Sequence, residues 1–120
     1  MIAIRGAITV KEDTKEEIYK ATSDLLKSII EKNSLNTDDI ISIFFTCTRD
    51  LKSAYPAVAA RSLGITNAGL MCFNEMYVEG SLTRCIRVLI NANKVISQKE
   101  VKHIYMEGAV VLRPDLTSLN

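Results

Sequence analysis

Four arginines occupy predicted positions in which they could either bind a ligand or be surface charges. Arg5 falls within a predicted strand, and Arg87 falls in an otherwise apolar segment. Arg61 lies in a short predicted helix, and Arg113 ends the last predicted strand. A guanidinium matches a carboxylate through two parallel hydrogen bonds. Each arginine is therefore a candidate carboxylate ligand, and the alternative for each is a solvated charge whose stem packs on apolar surface.

Few other side chains in this sequence are suited to catalysis. Glu75 follows a predicted strand, where it is either a lone loop charge or an acceptor for a hydroxyl, and the sequence leaves both open. His103 is the only histidine, which disfavours a zinc site or a Ser-His-Asp arrangement. The glycines are isolated and form no phosphate loop. We therefore expect neither a metal nor a cofactor.

Composition excludes several classes of protein. The net charge is +1, and the sequence has no basic run, which argues against nucleic acid. No apolar run approaches the roughly 20 residues that span a bilayer. The first residues do not resemble a secretion signal, so a cytoplasmic protein is expected. Three cysteines without a Cys-x-x-Cys pair argue against a disulfide framework.

Two segments carry clear periodic patterns. Residues 2–10 alternate between an apolar face and a face that carries Arg5, which predicts a strand. Residues 14–33 carry an apolar stripe at helical spacing, and Thr14 with Glu17 predicts a capping box at the start of this helix.

The shorter segments complete the predicted order. A short helix begins at Pro56 and ends at Gly64. We interpret residues 82–93 as a second long helix whose polar face carries Arg84, Arg87 and Asn91. Further strands are predicted over residues 39–46, 70–73, 101–106 and 109–112. The 120 residues thus predict a single α/β (α+β) domain over 1–120, with a mixed sheet and helices on one or both of its faces.

Several short motifs resemble one known family when they are read together. They are IRGAITV at 4–10, YPA at 55–57, CFNEM at 72–76, CIRV at 85–88 and VVLRPDL at 110–116. In this order and at this spacing they resemble the AroH-type (type I, monofunctional) chorismate mutases over essentially the whole chain. The Arg5 motif and the last block are the most distinctive.

The resemblance implies a fold, an assembly and a reaction. The family is a homotrimer whose sheets form a barrel-like core, and its active sites lie between adjacent subunits. The implied reaction is the Claisen rearrangement of chorismate to prephenate, on the route to phenylalanine and tyrosine. No cofactor or metal takes part.

The resemblance also assigns residues to roles. Arg5 is similar to a ligand of the enolpyruvyl carboxylate, with Tyr105 close to it, and Arg87 matches the cation that reaches the ether oxygen. Glu75 matches a group that holds the ring hydroxyl. The other implied substrate contacts are the covering aromatic Tyr55 from the neighbouring subunit, the mouth arginines Arg61 and Arg113, the wall residue Leu112, and Ala57, Leu70, Met71 and Cys72.

The sequence departs from the family pattern near the mouth and the ring hydroxyl. Val58 stands where a lysine is common, Tyr55 where phenylalanine is common, and Met71 where a threonine is found. The segment from Arg61 to Glu75 is one residue short. These changes bear on substrate affinity more than on the reaction. The alternatives to a mutase are a RidA-like trimeric deaminase and a noncatalytic metabolite-binding trimer.

Overall fold

The longest helix forms where its apolar stripe and N-cap predict it. A computed structural model describes residues 1–112 of the chain. Helix α1 (Lys15–Lys32) begins after Thr14, whose hydroxyl accepts the Glu17 N–H at 3.1 Å. The Thr14 N–H donates to the Glu12 carbonyl at 3.0 Å, so the predicted capping box is only half formed. The predicted helix over 14–33 is otherwise confirmed.

Five strands form one mixed sheet. They are β1 (Ile2–Thr9), β2 (Ile40–Cys47), β3 (Gly69–Asn74), β4 (Cys85–Ala92) and β5 (Ile104–Met106). Their order across the sheet is β3-β2-β4-β1-β5. The central strand β4 is antiparallel to both β1 and β2, whereas the edge strands β3 and β5 are parallel to their neighbours. The mixed sheet that the sequence predicts is confirmed.

The predicted helix over residues 82–93 is wrong, because most of this segment is strand β4. Ile86, Val88 and Ile90 are buried on one face, and Arg87 alternates with them on the other. The apolar residues of this segment fit a helical stripe as well as a period of two. Its β-branched residues favour a strand, and pairing with a neighbour on each side settles the choice.

The end of the described chain also differs from the prediction. Residues 109–112, predicted as a strand, belong to a 3-10 helix over Glu107–Leu112. Glu107 has a φ of +53°, which interrupts extended pairing after β5. The strand predicted over 101–106 is shortened to β5. Two further 3-10 turns cover Thr37–Asp39 and Gln98–Glu100.

The two α-helices cover one face of the sheet, and the 3-10 helix Glu107–Leu112 covers part of the other, where Ala109 packs against Ala7 and Cys85. Helix α2 (Ala57–Ser62) and α1 share a buried core with alternate residues of the strands, such as Ile4 and Ile43. The opposite face carries Arg5, Arg87 and partly exposed aromatic side chains, and we call it the open face. Within residues 1–112, no helix has both the length and the apolarity to cross a membrane.

Gly6 lets α1 approach β1 beside Arg5, and its replacement with alanine is expected to destabilise the protein. A Cβ at Gly6 would lie 2.8 Å from Ile29 Cδ1 and 3.1 Å from the Ile104 carbonyl oxygen. Overpacking of this kind costs about 1–3 kcal/mol, which urea unfolding would measure. The matched control is Gly69→Ala, where the nearest such atom is 4.0 Å away. Equal losses of stability in both variants would contradict this explanation.

Candidate active site

Strand register gathers three of the predicted site residues, Arg5, Arg87 and Tyr105, on the open face. Ala7 of β1 pairs with Arg87 of β4 on one side and with Tyr105 of β5 on the other. Arg5 lies two residues before Ala7 on the same face. A cavity of about 130 Å³ forms among these side chains. Its lining residues are Arg5, Gly6, Arg87, Val88, Tyr105 and Leu112.

The two arginines of this pocket, which we call the Arg5–Arg87 pocket, differ in their surroundings. Arg5 is exposed, and its backbone N–H donates to His103 Nδ1 at 2.9 Å. Among the described residues no acidic side chain forms an ion pair with Arg5, whereas Arg87 Nε lies 3.4 Å from Glu75 Oε1. Arg5 therefore presents a charge that an acidic ligand can neutralise.

Glu75 lies beside Arg87 because it directly follows β3, where the pairing of β3 with β2 ends. Its backbone N–H donates to the Cys47 carbonyl at 2.9 Å. Its carboxylate accepts a hydrogen bond from the Thr46 hydroxyl and faces Arg87. A second cavity, of about 390 Å³, is lined by Arg5, Thr46, Glu75 and Arg87 and by four apolar residues, such as Phe44 and Leu89. The lone-loop interpretation of Glu75 is therefore disfavoured.

The ion pair between Arg87 and Glu75 is loose. Arg87 Nε is buried but makes no hydrogen bond of good geometry within the described part of the chain, although Glu75 Oε1 is only 3.4 Å away. The two side chains keep 41% and 20% of their surface exposed. A buried N–H without a hydrogen bond costs free energy unless a ligand or a small movement provides an acceptor. The guanidinium is thus partly committed to Glu75 and open to a further acceptor.

Of the two residues predicted to share a polar helical face with Arg87, Asn91 lies on the same face of β4 as Arg87, whereas Arg84 precedes the strand. The Arg84 N–H donates to both Asp50 carboxylate oxygens, at 2.9 and 3.0 Å, and its Nε donates to the Val10 carbonyl at 3.1 Å. Its φ of +46° precedes β4, so these bonds fix the start of that strand. Asn91 Nδ2 donates to the Ser42 hydroxyl across the β2–β4 pair.

A second group of predicted residues lies on the helix side of the sheet. Leu70 and Cys72 pack against the core, and Ala57 is buried in α2. Tyr55 is 73% exposed at the rim of a cavity of about 550 Å³, which Cys72 also lines. Arg61 is exposed on α2. We call Tyr55, Arg61 and Cys72 the rim group.

A single chain does not bring the Arg5–Arg87 pocket and the rim group together in one site. The rim group belongs to the helix side, and the Arg5–Arg87 pocket opens on the other face. Met71 lies on the face of β3 opposite to that of Leu70 and Cys72, and it is 56% exposed on the open face. Arg113 lies outside the described residues.

Cys47 and Cys85 are not activated nucleophiles. Burial is the main cause that raises the pKa of the Cys47 thiol to about 12, and the nearby Cys72 and Cys85 add to it. Burial also raises the pKa of Cys85, although Arg87 opposes the shift. These two thiols are therefore protonated at neutral pH. Among residues 1–112, no cluster of three or more His, Cys, Asp or Glu side chains could hold a metal ion.

Thr46 is the member of this site that sequence reasoning missed. It lies in an apolar strand, Ile40–Cys47, and its hydroxyl has no local motif. Only alternation along β2 could have placed it, since Ser42, Phe44 and Thr46 share one face. This alternation indicates a site residue only when the pairing of Thr46 with Arg87 is known.

Comparisons with known proteins agree with one another. A family model described as chorismate mutase type I matches residues 1–116. The chorismate mutase AroH of Thermus thermophilus is 47% identical over 116 residues, which cover 96% of this chain and 95% of that protein. The AroH of Bacillus subtilis (strain 168) is 43% identical over 115 residues, which cover 95% of this chain and 91% of that protein.

A solved structure is similar as well. A chorismate mutase from Clostridium thermocellum superposes with a TM-score of 0.89 at 53% sequence identity. The match covers 91% of this chain and 97% of that one.

Proposed function

This chain belongs to the type I chorismate mutase family, and we propose that its Arg5–Arg87 pocket converts chorismate to prephenate by a Claisen rearrangement. The observation that carries the proposal is the meeting of Arg5, Arg87 and Tyr105 in one small pocket on the open face. We propose an isomerase of phenylalanine and tyrosine biosynthesis that acts in the cytoplasm.

The reaction suits a site without an activated nucleophile. The rearrangement is pericyclic, so no proton has to move and no covalent intermediate forms. The C–O bond breaks ahead of C–C formation, and negative charge grows on the ether oxygen. A fixed guanidinium interacts more strongly with that charge than with the ground state, which lowers the barrier. Arg87, half-buried and only loosely paired, is the group we assign to this role.

The remaining residues of the pocket, together with the adjoining Glu75, hold the substrate in a reactive shape. We assign Arg5 to the enolpyruvyl carboxylate, because it is exposed and forms no ion pair within residues 1–112. Tyr105 and Leu112 form the adjacent wall. Glu75 is assigned to the ring hydroxyl, since a carboxylate accepts from a hydroxyl. Orientation of this kind can supply several kcal/mol.

A homotrimer would complete the site. The open face exposes apolar side chains, with Phe44 at 37%, Phe73 at 45% and Met71 at 56%. Patches of this kind mark interaction surfaces, and the Phe44 and Phe73 rings already contact edge to face at 5.9 Å. We propose that three open faces associate into a barrel-like core. The rim group of one subunit, including Tyr55, would then face the Arg5–Arg87 pocket of the next.

Loss of the chorismate diene absorbance tests the proposed function. The purified protein is expected to consume chorismate far faster than the spontaneous rearrangement, without an added metal or cofactor. Prephenate is identified by its acid-catalysed conversion to phenylpyruvate. Family membership favours this outcome over the RidA-like deaminase, and a noncatalytic trimer would bind chorismate without consuming it. A rate equal to the spontaneous one would refute the proposal.

A further inference from the structure

Three strands of the sheet converge on one carboxylate oxygen. Thr46 of β2 pairs directly with Arg87 of β4, and Glu75 follows β3 on the other side of β2. The Thr46 hydroxyl donates to Glu75 Oε1. The same oxygen lies 3.4 Å from Arg87 Nε. The hydroxyl and the guanidinium therefore hold Glu75 from adjacent strands.

Glu75 depends on this contact because the backbone restrains it little. The strand β3 ends at Asn74, and the Glu75 N–H bond to Cys47 is the last link of the pair. A glutamate side chain has three rotatable bonds and loses entropy when it is held in one conformation. Threonine is branched at Cβ and stiff about χ1 in a strand, so its hydroxyl points in a fixed direction.

We infer that Thr46 is a positioning residue for the reaction, an inference that rests on the proposed function. Its hydroxyl occupies Glu75 Oε1 and keeps the carboxylate beside Arg87. The second carboxylate oxygen is thereby left to the substrate hydroxyl. The Glu75 charge, held in place, orients the Arg87 guanidinium toward the pocket that it shares with Arg5. Thr46 thus acts through Glu75 and Arg87 rather than on the reacting atoms.

Thr46→Val tests the inference, because valine keeps the shape and removes the hydroxyl. We expect kcat to fall about ten-fold or more, the effect of losing a hydrogen bond to a charged group, while KM changes less. Thr46→Ser retains the hydroxyl and should recover most of the activity. The matched control is Ser42→Ala, which removes a hydroxyl from the same pair of strands, four residue pairs away. That control should leave kcat unchanged.

A double-mutant cycle with Glu75→Ala separates positioning from simple structural support. If Thr46 acts through Glu75, the Thr46→Val change should have little further effect on kcat in the Glu75→Ala background. Additive losses, or a serine variant as poor as the valine variant, would overturn the inference. If the valine variant does not fold, Thr46→Ala replaces it in the cycle. A wild-type protein without turnover would instead refute the proposed function, so the two failures are distinguishable.

Discussion

Arg87→Ala is expected to lower kcat by at least about a hundred- to a thousand-fold, the loss typical of removing one preorganised donor to a developing oxyanion. The physical reason is that the charge on the ether oxygen appears only as the C–O bond breaks. Interactions made only in the transition state contribute to kcat rather than to KM. The spontaneous rate sets the lower limit that the variant can reach.

The fold should survive this change. Arg87 Nε is buried without a well-formed hydrogen bond, and the side chain as a whole is 41% exposed. Removing it deletes an unsatisfied group and leaves Glu75 with its Thr46 bond. Thermal unfolding monitored by circular dichroism would therefore change little.

Two control variants make the result specific. Lys20→Ala removes one positive charge from the surface of α1, where Lys20 pairs with Asp24 at 3.0 Å, and should retain full activity. Arg87→Lys keeps the charge but loses the guanidinium fork, and should give an intermediate kcat. Wild-type kcat in Arg87→Ala would remove this residue from the proposed mechanism.

Two inactive variants should restore activity when they are assembled together. One is Arg87→Ala, which disables the Arg5–Arg87 pocket. The other combines Tyr55→Glu with Arg61→Glu, which places negative charge in the rim group and repels a dicarboxylate. Tyr55 and Arg61 are both exposed in the single chain, so the second variant should fold.

The expected recovery follows from the proposed ring of three subunits. Each site takes its pocket from one subunit and its rim group from the next, so random mixing leaves about a quarter of the sites intact. The two proteins would be refolded together and assayed at a substrate concentration at which each alone is inactive. Separately refolded proteins, combined without exchange, provide the control. If pocket and rim group served the same site within one subunit, mixing would restore nothing.

The local sequence pattern was sufficient to predict much of the fold. The cap at Thr14 and the apolar stripe placed α1 to within one residue at each end. Alternation placed β1, and Pro56 and Gly64 bounded α2 closely. These signals succeed because each depends on neighbours along the chain.

Local pattern failed where tertiary pairing decides the structure. The β4 segment fits both a helix and a strand, and its place between β1 and β2 selects the strand. The predicted last strand is instead a 3-10 helix, whose Ala109 packs against Ala7 and Cys85. Neither outcome depends on residues close in sequence alone.

The candidate site was likewise predicted only in part from the sequence. Residue types and motif order identified Arg5, Glu75, Arg87 and Tyr105 as candidates. The sequence could not place them together, because Arg5 and Arg87 meet only through the antiparallel register of β1 and β4. Thr46 was missed for the same reason, since its hydroxyl acquires a partner only where β2 lies beside Glu75.

The arginines proposed to bind an acidic ligand could thus be identified as candidates from the sequence itself. Their sharing of one pocket, and the separation of the rim group onto the other side of the sheet, were decided by the tertiary structure. The physical reason is that a strand turns successive side chains to opposite faces, so strand pairing determines which residues meet.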